Sequence, residues 1–278
     1  MPATLVHPAA ILPVHYLAKG RLPLSALVIG SLSPDFEYLL RWGAGNRFAH
    51  TLPGLAFCVP AGLLALWLFH AVVKRPLLEL APEWHRRTLA PMAGAFRWLP
   101  WARLPLIAAS VAIGALSHMA LDSFTHYGGW AVQAFPAFKQ TLFSIGHMKV
   151  TVYSLLQYLG TLLGLVALAV CHWLWVLRAP APAEPRSDVL CARGRWALRA
   201  GIVLVSLGLG VAVGLVNQGT NTGAWGIRLL VAGTALGSHT GLYAACLAYG
   251  AGFTLWQWRR KAAGNKIPAG GGEEEQQT

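Results

Sequence analysis

Three residues at four-residue steps, His118, Asp122 and His126, lie in the stretch SHMALDSFTH, inside an otherwise apolar segment. On a helix of about 3.6 residues per turn, side chains four apart stand above one another, so these three form one stripe. Imidazole nitrogens and carboxylate oxygens are the ligands of divalent ions, and two of them at i and i+4 hold one ion without distorting the helix. A carboxylate at membrane depth costs about 2.5 to 3.5 kcal/mol on insertion scales and is normally paired or functional. The same residue types recur at His7, Asp35, Glu37 and His50. Together they suffice for one ion with orienting partners, and just suffice for two.

The elements that must position these groups are membrane helices. Hydrophobic residues make up 55% of the chain and charged residues 12%, with a mean hydropathy of +0.50, which is the profile of a membrane protein. Apolar runs long enough to cross a hydrocarbon core of about 30 Å occur at roughly 54–73, 104–122, 151–177, 198–216 and 228–257. Two shorter runs, roughly 5–18 and 22–33, are separated by KGR and read as a helical hairpin packed against the spans. The fold expected is therefore all-α: a polytopic helical bundle of about five full spans plus a short N-terminal hairpin. The N-terminus lacks the basic region and cleavage site of a secretory signal and is expected to be retained.

Lys and Arg near span ends are held on the cytoplasmic side, and they concentrate at 74–103, 178–199 and 259–266. The C-terminus is then cytoplasmic in a multi-pass protein of the cytoplasmic membrane, and the loops near 127–150 and 217–227 face outward. Topology and anionic lipid account for the net charge of +12, and nucleic-acid binding is not expected, because the basic residues are not interleaved with aromatics on one face. The cysteines, at 58, 171, 191 and 246, form no paired motif and read as apolar fillers. RAPAPAEPRSD reads as a proline-rich linker and residues 259–278 as a disordered tail.

Placed on this topology, His7, Asp35, Glu37, His50, His118, Asp122 and His126 all reach the outer side from four separate chain segments. The remaining acids lie in cytoplasmic loops or in the tail. His70, His172 and His239, which have no acidic neighbours in the sequence, read as interhelical hydrogen bonders.

The pieces HPAAILPVHYL, LPLSALVIGSLSPDFEYLLR, HTLPGL, LFHAVVKRPLL and GALSHMALDSFTHYGGW closely resemble the bacterial membrane-protein family catalogued as domain of unknown function 4184. More distantly, the order His, Pro-Asp-x-acid, Arg followed by His, then His-x-x-x-Asp is similar to that of inner-membrane proteins described as metal-dependent hydrolases. Those have been likened to the helical, zinc-dependent phospholipase C fold, which hydrolyses phosphate diesters. Tyr38 stands where the hydrolase-like family has a His, and Ala49-His50-Thr51 replaces its Thr-His-Ser.

The ligands expected first are His50, His118 and Asp122, with Asp35 and His7 as further or second-ion ligands. The ion expected is zinc, with manganese or iron also compatible. Glu37 or His126 would act as general base or as the residue that orients a ligand, and Arg47 would grip an anionic substrate group. A site at the outer membrane–water boundary suits a phospholipid or lipid-linked phosphate, so the function expected is hydrolysis of a phosphoester-containing amphiphile. Two other classes fit the residues: a metal- or proton-binding transport protein, and a non-catalytic membrane scaffold. The expected division is residues 1–150 carrying the site, 151–258 forming C-terminal spans, and 259–278 as tail.

Overall fold

The computed structural model describes residues 4–41, 48–94, 96–146, 148–180 and 189–262. In chain order the helices are α1 (Pro8–Leu17), α2 (Leu24–Leu32), α3 (Phe36–Arg41), α4 (Leu55–Leu68), α5 (Lys74–Leu80) and α6 (Glu83–Leu89). They continue with α7 (Leu104–Thr125), α8 (Trp130–Ala134), α9 (Val152–Arg178), α10 (Ala192–Gln218) and α11 (Gly223–Ala262). Three-residue 3-10 turns at Thr4–Val6, Ser33–Asp35 and Phe48–His50 punctuate the N-terminal part. Among the described residues, strand is confined to one antiparallel hairpin, β1 (Thr141–Ile145) with β2 (Met148–Thr151). The architecture is all-α, and the two short N-terminal runs are the paired helices α1 and α2.

Four helical stretches are long and apolar enough to cross a membrane: Leu55–Leu80, Trp101–Ala134, Val152–Arg178 and Ala192–Gln218. The span count is thus about four rather than five. The fifth expected span lies within α11, which is long enough, but its glycines together with Thr234, Ser238, His239 and Thr240 dilute its apolar character. The first span also runs further than its apolar stretch: a π-helical segment, Phe69–Val73, carries it into α5. Lys74 and Arg75 therefore sit on a helix, where their side chains donate to the carbonyls of Met92, Gly94 and Ala93.

The chain divides into two compact units. The first comprises the described residues of Met1–Trp67 and Arg97–Ala179, and the second those of Leu68–Phe96 and Pro180–Thr278. In the second unit α10 and α11 meet through small residues, among them Ser206, Gly210 and Gly214 against Thr234, Ser238 and Gly241. Such residues let helix backbones approach closely where no hydrophobic effect drives association. Arg199 of α10 donates to the carbonyl of Leu80 in this unit.

The first unit carries every described residue of the expected site. Its central contact is α2 against α7, and the reason is local: a Cβ on Gly30 would strike the backbone of Val111, and one on Gly114 would strike Leu27 and Ser31. The two helices are flush at these points, so Ile107, Val111 and Ala115 of α7 are buried with Ala26 and Leu27 of α2. A longer side chain would push the helices apart. Gly114→Ala is expected to destabilise the protein by about 1–3 kcal/mol, the usual cost of overpacking, whereas Gly160→Ala, which meets nothing within 4 Å, leaves stability unchanged or slightly raised. Thermal unfolding of both variants in detergent checks the pair.

Candidate functional site

The contact between α2 and α7 sets the first group of the site. It brings the Ser31 carbonyl within 2.7 Å of His118 Nδ1. A carbonyl only accepts, so in the neutral ring Nδ1 carries the hydrogen and Nε2 is left with its lone pair. His118 is fully buried, and Nε2 lies 3.6 Å from Asp35 Oδ1 and 3.4 Å from Asp122 Oδ2.

Asp35 comes from the 3-10 turn that ends α2, and Asp122 from one helical turn beyond His118. His50 comes from the Phe48–His50 turn; its Nε2 stands 3.3 Å from Asp35 Oδ1 and 3.6 Å from Asp122 Oδ2. His7, just before α1, stacks on His118 with ring centroids 3.6 Å apart, and its Nε2 is 3.7 Å from Asp122 Oδ1. The same oxygen lies 3.2 Å from His126 Nδ1. The two oxygens of Asp122 thus face different partners.

The stripe expected on one helix is interrupted at its last member. α7 ends at Thr125, and His126 has extended backbone (φ −121°, ψ 139°), although its N–H still reaches the Asp122 carbonyl. The turn through Tyr127, Gly128 and Gly129 redirects the chain, yet the Asp122–His126 contact forms. The tautomer of His126 follows from its neighbour. The Thr125 hydroxyl donates to the Leu121 carbonyl at 3.1 Å, so towards His126 Nδ1, also at 3.1 Å, it accepts. In the neutral ring Nε2 of His126 is then the basic nitrogen.

His50 owes its place to a tether on the residue before it. Ala49 N–H donates to Glu37 Oε2 at 2.8 Å, and Cys58 Sγ donates to the Ala49 carbonyl at 3.3 Å. Gly54 lets this turn lie across the start of α4, since a Cβ there would strike Phe48 and Ala49 backbone. Of the two roles open to Glu37, this contact fits the orienting one, because its carboxylate, only 4% exposed, grips backbone. Cys58 is more than an apolar filler for the same reason.

Several of the gathered atoms have no hydrogen-bond partner among the described residues: both oxygens of Asp35, both ring nitrogens of His50, His118 Nε2, Asp122 Oδ1 and His126 Nε2. Burial, with the His118 ring beside it, pushes the His7 imidazole down to about 4, so it is neutral near pH 7. Burial works against the Asp35 carboxylate, but His50 and His118 beside it hold it below the ordinary range. The side chains of His50, Asp122 and His126 keep 10%, 13% and 16% exposure, more than those of His7, Asp35 and His118.

Of the residues read from the sequence as site candidates, His7, Asp35, His50, His118, Asp122 and His126 come together, and Glu37 stands behind His50. Arg47 lies outside the described residues. Sequence reasoning missed Ser31, whose contribution is a backbone carbonyl and leaves no residue-type signal, and the tether on Ala49. The Pro-Asp-x-Glu spacing of 34–37 was a usable sign that Glu37 sits beside the site. The isolated histidines have local partners: His70 stacks on Phe96 with centroids 4.2 Å apart, and His239 Nδ1 bonds the Ala235 carbonyl.

Four apolar helices fit a membrane protein, here one with a buried histidine–aspartate cluster at the end of a candidate span. The chain belongs to the family described as a domain of unknown function, DUF4184, whose model matches residues 1–251. No curated protein and no solved structure matches the chain.

Removing the tether tests its weight. Glu37→Ala leaves the Ala49 N–H buried without an acceptor, at a cost of about 1–3 kcal/mol. Glu37→Gln keeps an acceptor oxygen and is expected to recover most of that stability in thermal unfolding.

Proposed function

We propose that this protein is a membrane-embedded, metal-dependent hydrolase acting on a phosphoester-containing amphiphile at the outer face of the cytoplasmic membrane. The observation that carries the reading is the gathering of His50 Nε2, His118 Nε2, Asp35 Oδ1 and Asp122 Oδ2 at contact distances of 3.3 to 3.6 Å, where the first three have no hydrogen-bond partner among the described residues. Leaving such atoms unsatisfied costs about 1–3 kcal/mol each, and a divalent cation among them satisfies several at once. The donor set, neutral imidazole with carboxylate, suits zinc, and manganese or iron also accept it.

A bound divalent ion supplies an activated water near neutral pH and withdraws charge from a phosphoryl oxygen. The chain's own residues do the rest. Ser31 fixes the His118 tautomer, and the tether on Ala49 fixes His50. His126 holds its proton at Nδ1 and offers Nε2 as general base. Glu37 acts through His50 and takes no proton.

The amphiphile is supported by an apolar groove of about 520 Å³. It is lined by Leu40, Phe48 and the α4 residues Ala56, Phe57, Pro60 and Leu64. Phe48 shares the 3-10 turn of His50, and Leu40 lies one helical turn beyond Glu37, so the groove starts from the elements that carry the site. Its far wall is a candidate membrane span. A phospholipid or lipid-linked phosphate would place its head group at the cluster and a hydrocarbon chain along α4.

Protein purified in mild detergent without chelator is expected to carry near-stoichiometric zinc, manganese or iron by elemental analysis, and His118→Ala and Asp122→Ala to carry only background. Metal-loaded wild type is expected to release phosphate, or a phosphorylated head group, from long-chain phosphoesters, with no turnover by Asp122→Ala. Metal-free wild type, or loaded protein inert against phospholipids and polyprenyl phosphates alike, would sink this function.

A further inference from the structure

The cluster contains two overlapping triads of candidate ligands, His7 with Asp35 and His118, and His50 with His118 and Asp122. Both use His118, and that ring has one free nitrogen, because Nδ1 is committed to the Ser31 carbonyl. An imidazole binds an ion along its lone pair, which lies in the ring plane. The His7 and His118 rings are stacked, 3.6 Å apart and 15° from parallel. Their lone pairs therefore lie in separate, nearly parallel planes and do not meet at one ion. The His50 and His118 rings instead meet at 66°, centroids 5.2 Å apart, so their lone pairs are not confined to parallel planes.

Four of the six distances among Asp35 Oδ1, His50 Nε2, His118 Nε2 and Asp122 Oδ2 match those around one centre. Ligand atoms about 2.0–2.2 Å from zinc stand about 3.3–3.6 Å apart at tetrahedral angles. Asp35 Oδ1 to His50 Nε2 is 3.3 Å, His50 Nε2 to Asp122 Oδ2 is 3.6 Å, Asp122 Oδ2 to His118 Nε2 is 3.4 Å, and His118 Nε2 to Asp35 Oδ1 is 3.6 Å. What remains for a second ion is His7 Nε2 and the other oxygens of the two aspartates. The Asp122 oxygen among these already faces two imidazoles, His126 at 3.2 Å and His7 at 3.7 Å.

We infer that the site holds a single divalent ion, bound by Asp35, His50, His118 and one oxygen of Asp122, and that His7 is a positioning residue rather than a ligand. His7 stacks on His118 and, with His126, flanks Asp122 Oδ1 at 3.7 and 3.2 Å, while Asp122 Oδ2 lies beside His50 and His118. The inference rests on the metal-binding part of the function proposed above and fixes its ion count. Asp35, His50, His118 and Asp122 would hold the ion, which would supply the Lewis acidity that the proposed hydrolysis uses.

The test is a titration of metal-stripped, detergent-purified protein with cobalt(II), followed by visible absorption, beside elemental analysis of the zinc-loaded form. Wild type is expected to saturate at one equivalent. His7→Phe, which keeps a flat ring on His118, is expected to saturate at one equivalent with the wild-type band pattern and affinity lowered no more than about 10- to 100-fold, the usual effect of an orienting partner. His50→Ala and Asp35→Ala are expected to lose the bands. Two equivalents in wild type, or a His7→Phe spectrum that has lost a nitrogen ligand, overturns the single-ion assignment and leaves the hydrolase reading standing. No binding by wild type overturns both. The wild-type stoichiometry decides the ion count even if a variant fails to fold.

Discussion

One hydrogen bond, from His118 to the carbonyl of Ser31, joins residues 87 positions apart and depends on two helices being flush. Gly30 and Gly114 remove the side chains that would hold α2 and α7 apart. In a hydrocarbon setting helices gain little from burying apolar surface against one another, and close backbone approach takes its place as the source of packing energy. The same approach commits one nitrogen of a fully buried imidazole and frees the other. Packing and ligand chemistry are therefore set by a single contact, and the rest of the site is built outward from it.

Around that ring each further group is fixed from behind. Asp35 follows α2 directly, and its turn is carried by the helix already docked on α7. Asp122 shares a helix face with His118. His50 has no long element of its own, and the Phe48–His50 turn is held instead by side chains that grip the backbone of Ala49 from both directions. Buried polar groups that are fully partnered rigidify a site, and each one left unpartnered calls for an explanation such as water, an ion or a chemical role. Here Ser31 O, Glu37 Oε2 and Thr125 Oγ1, which support the cluster, are engaged, while His118 Nε2 and both Asp35 oxygens have no hydrogen-bond partner among the described residues.

The helical architecture and the gathering of the site were legible because both rest on periodicity and on where polar groups are tolerated. An i, i+4 stripe in an apolar run states which residues share a face, and the cost of a membrane carboxylate states that Asp122 must have partners. Four spans and the N-terminal hairpin follow from run length. The fifth span did not, since the stretch in α11 is long but interrupted by small and polar residues that leave it just short of apolar enough. The end of α7 was hidden as well, because a histidine that leaves the helix in extended conformation is spaced identically to one still on it. Backbone carbonyls and backbone N–H groups carry no residue identity. Ser31 and the tether on Ala49 were therefore invisible, and Glu37 could be seen as near the site but not as holding the backbone beside His50.

The first unit is discontinuous in the chain: the segment Leu68–Phe96, which belongs to the second unit, intervenes between the turn carrying His50 and the helix carrying His118 and Asp122. This fixes an order of events during synthesis. His7, Asp35 and His50 leave the ribosome first, and α7 follows only after the whole of Leu68–Phe96 has been made. Of the groups around Asp122, His7 and His50 are made before Leu68–Phe96, whereas His118 and His126 follow it with Asp122 itself. A nascent chain arrested before α7 would carry His7, Asp35 and His50 without His118 or Asp122, so the cluster cannot be complete until α7 has been made.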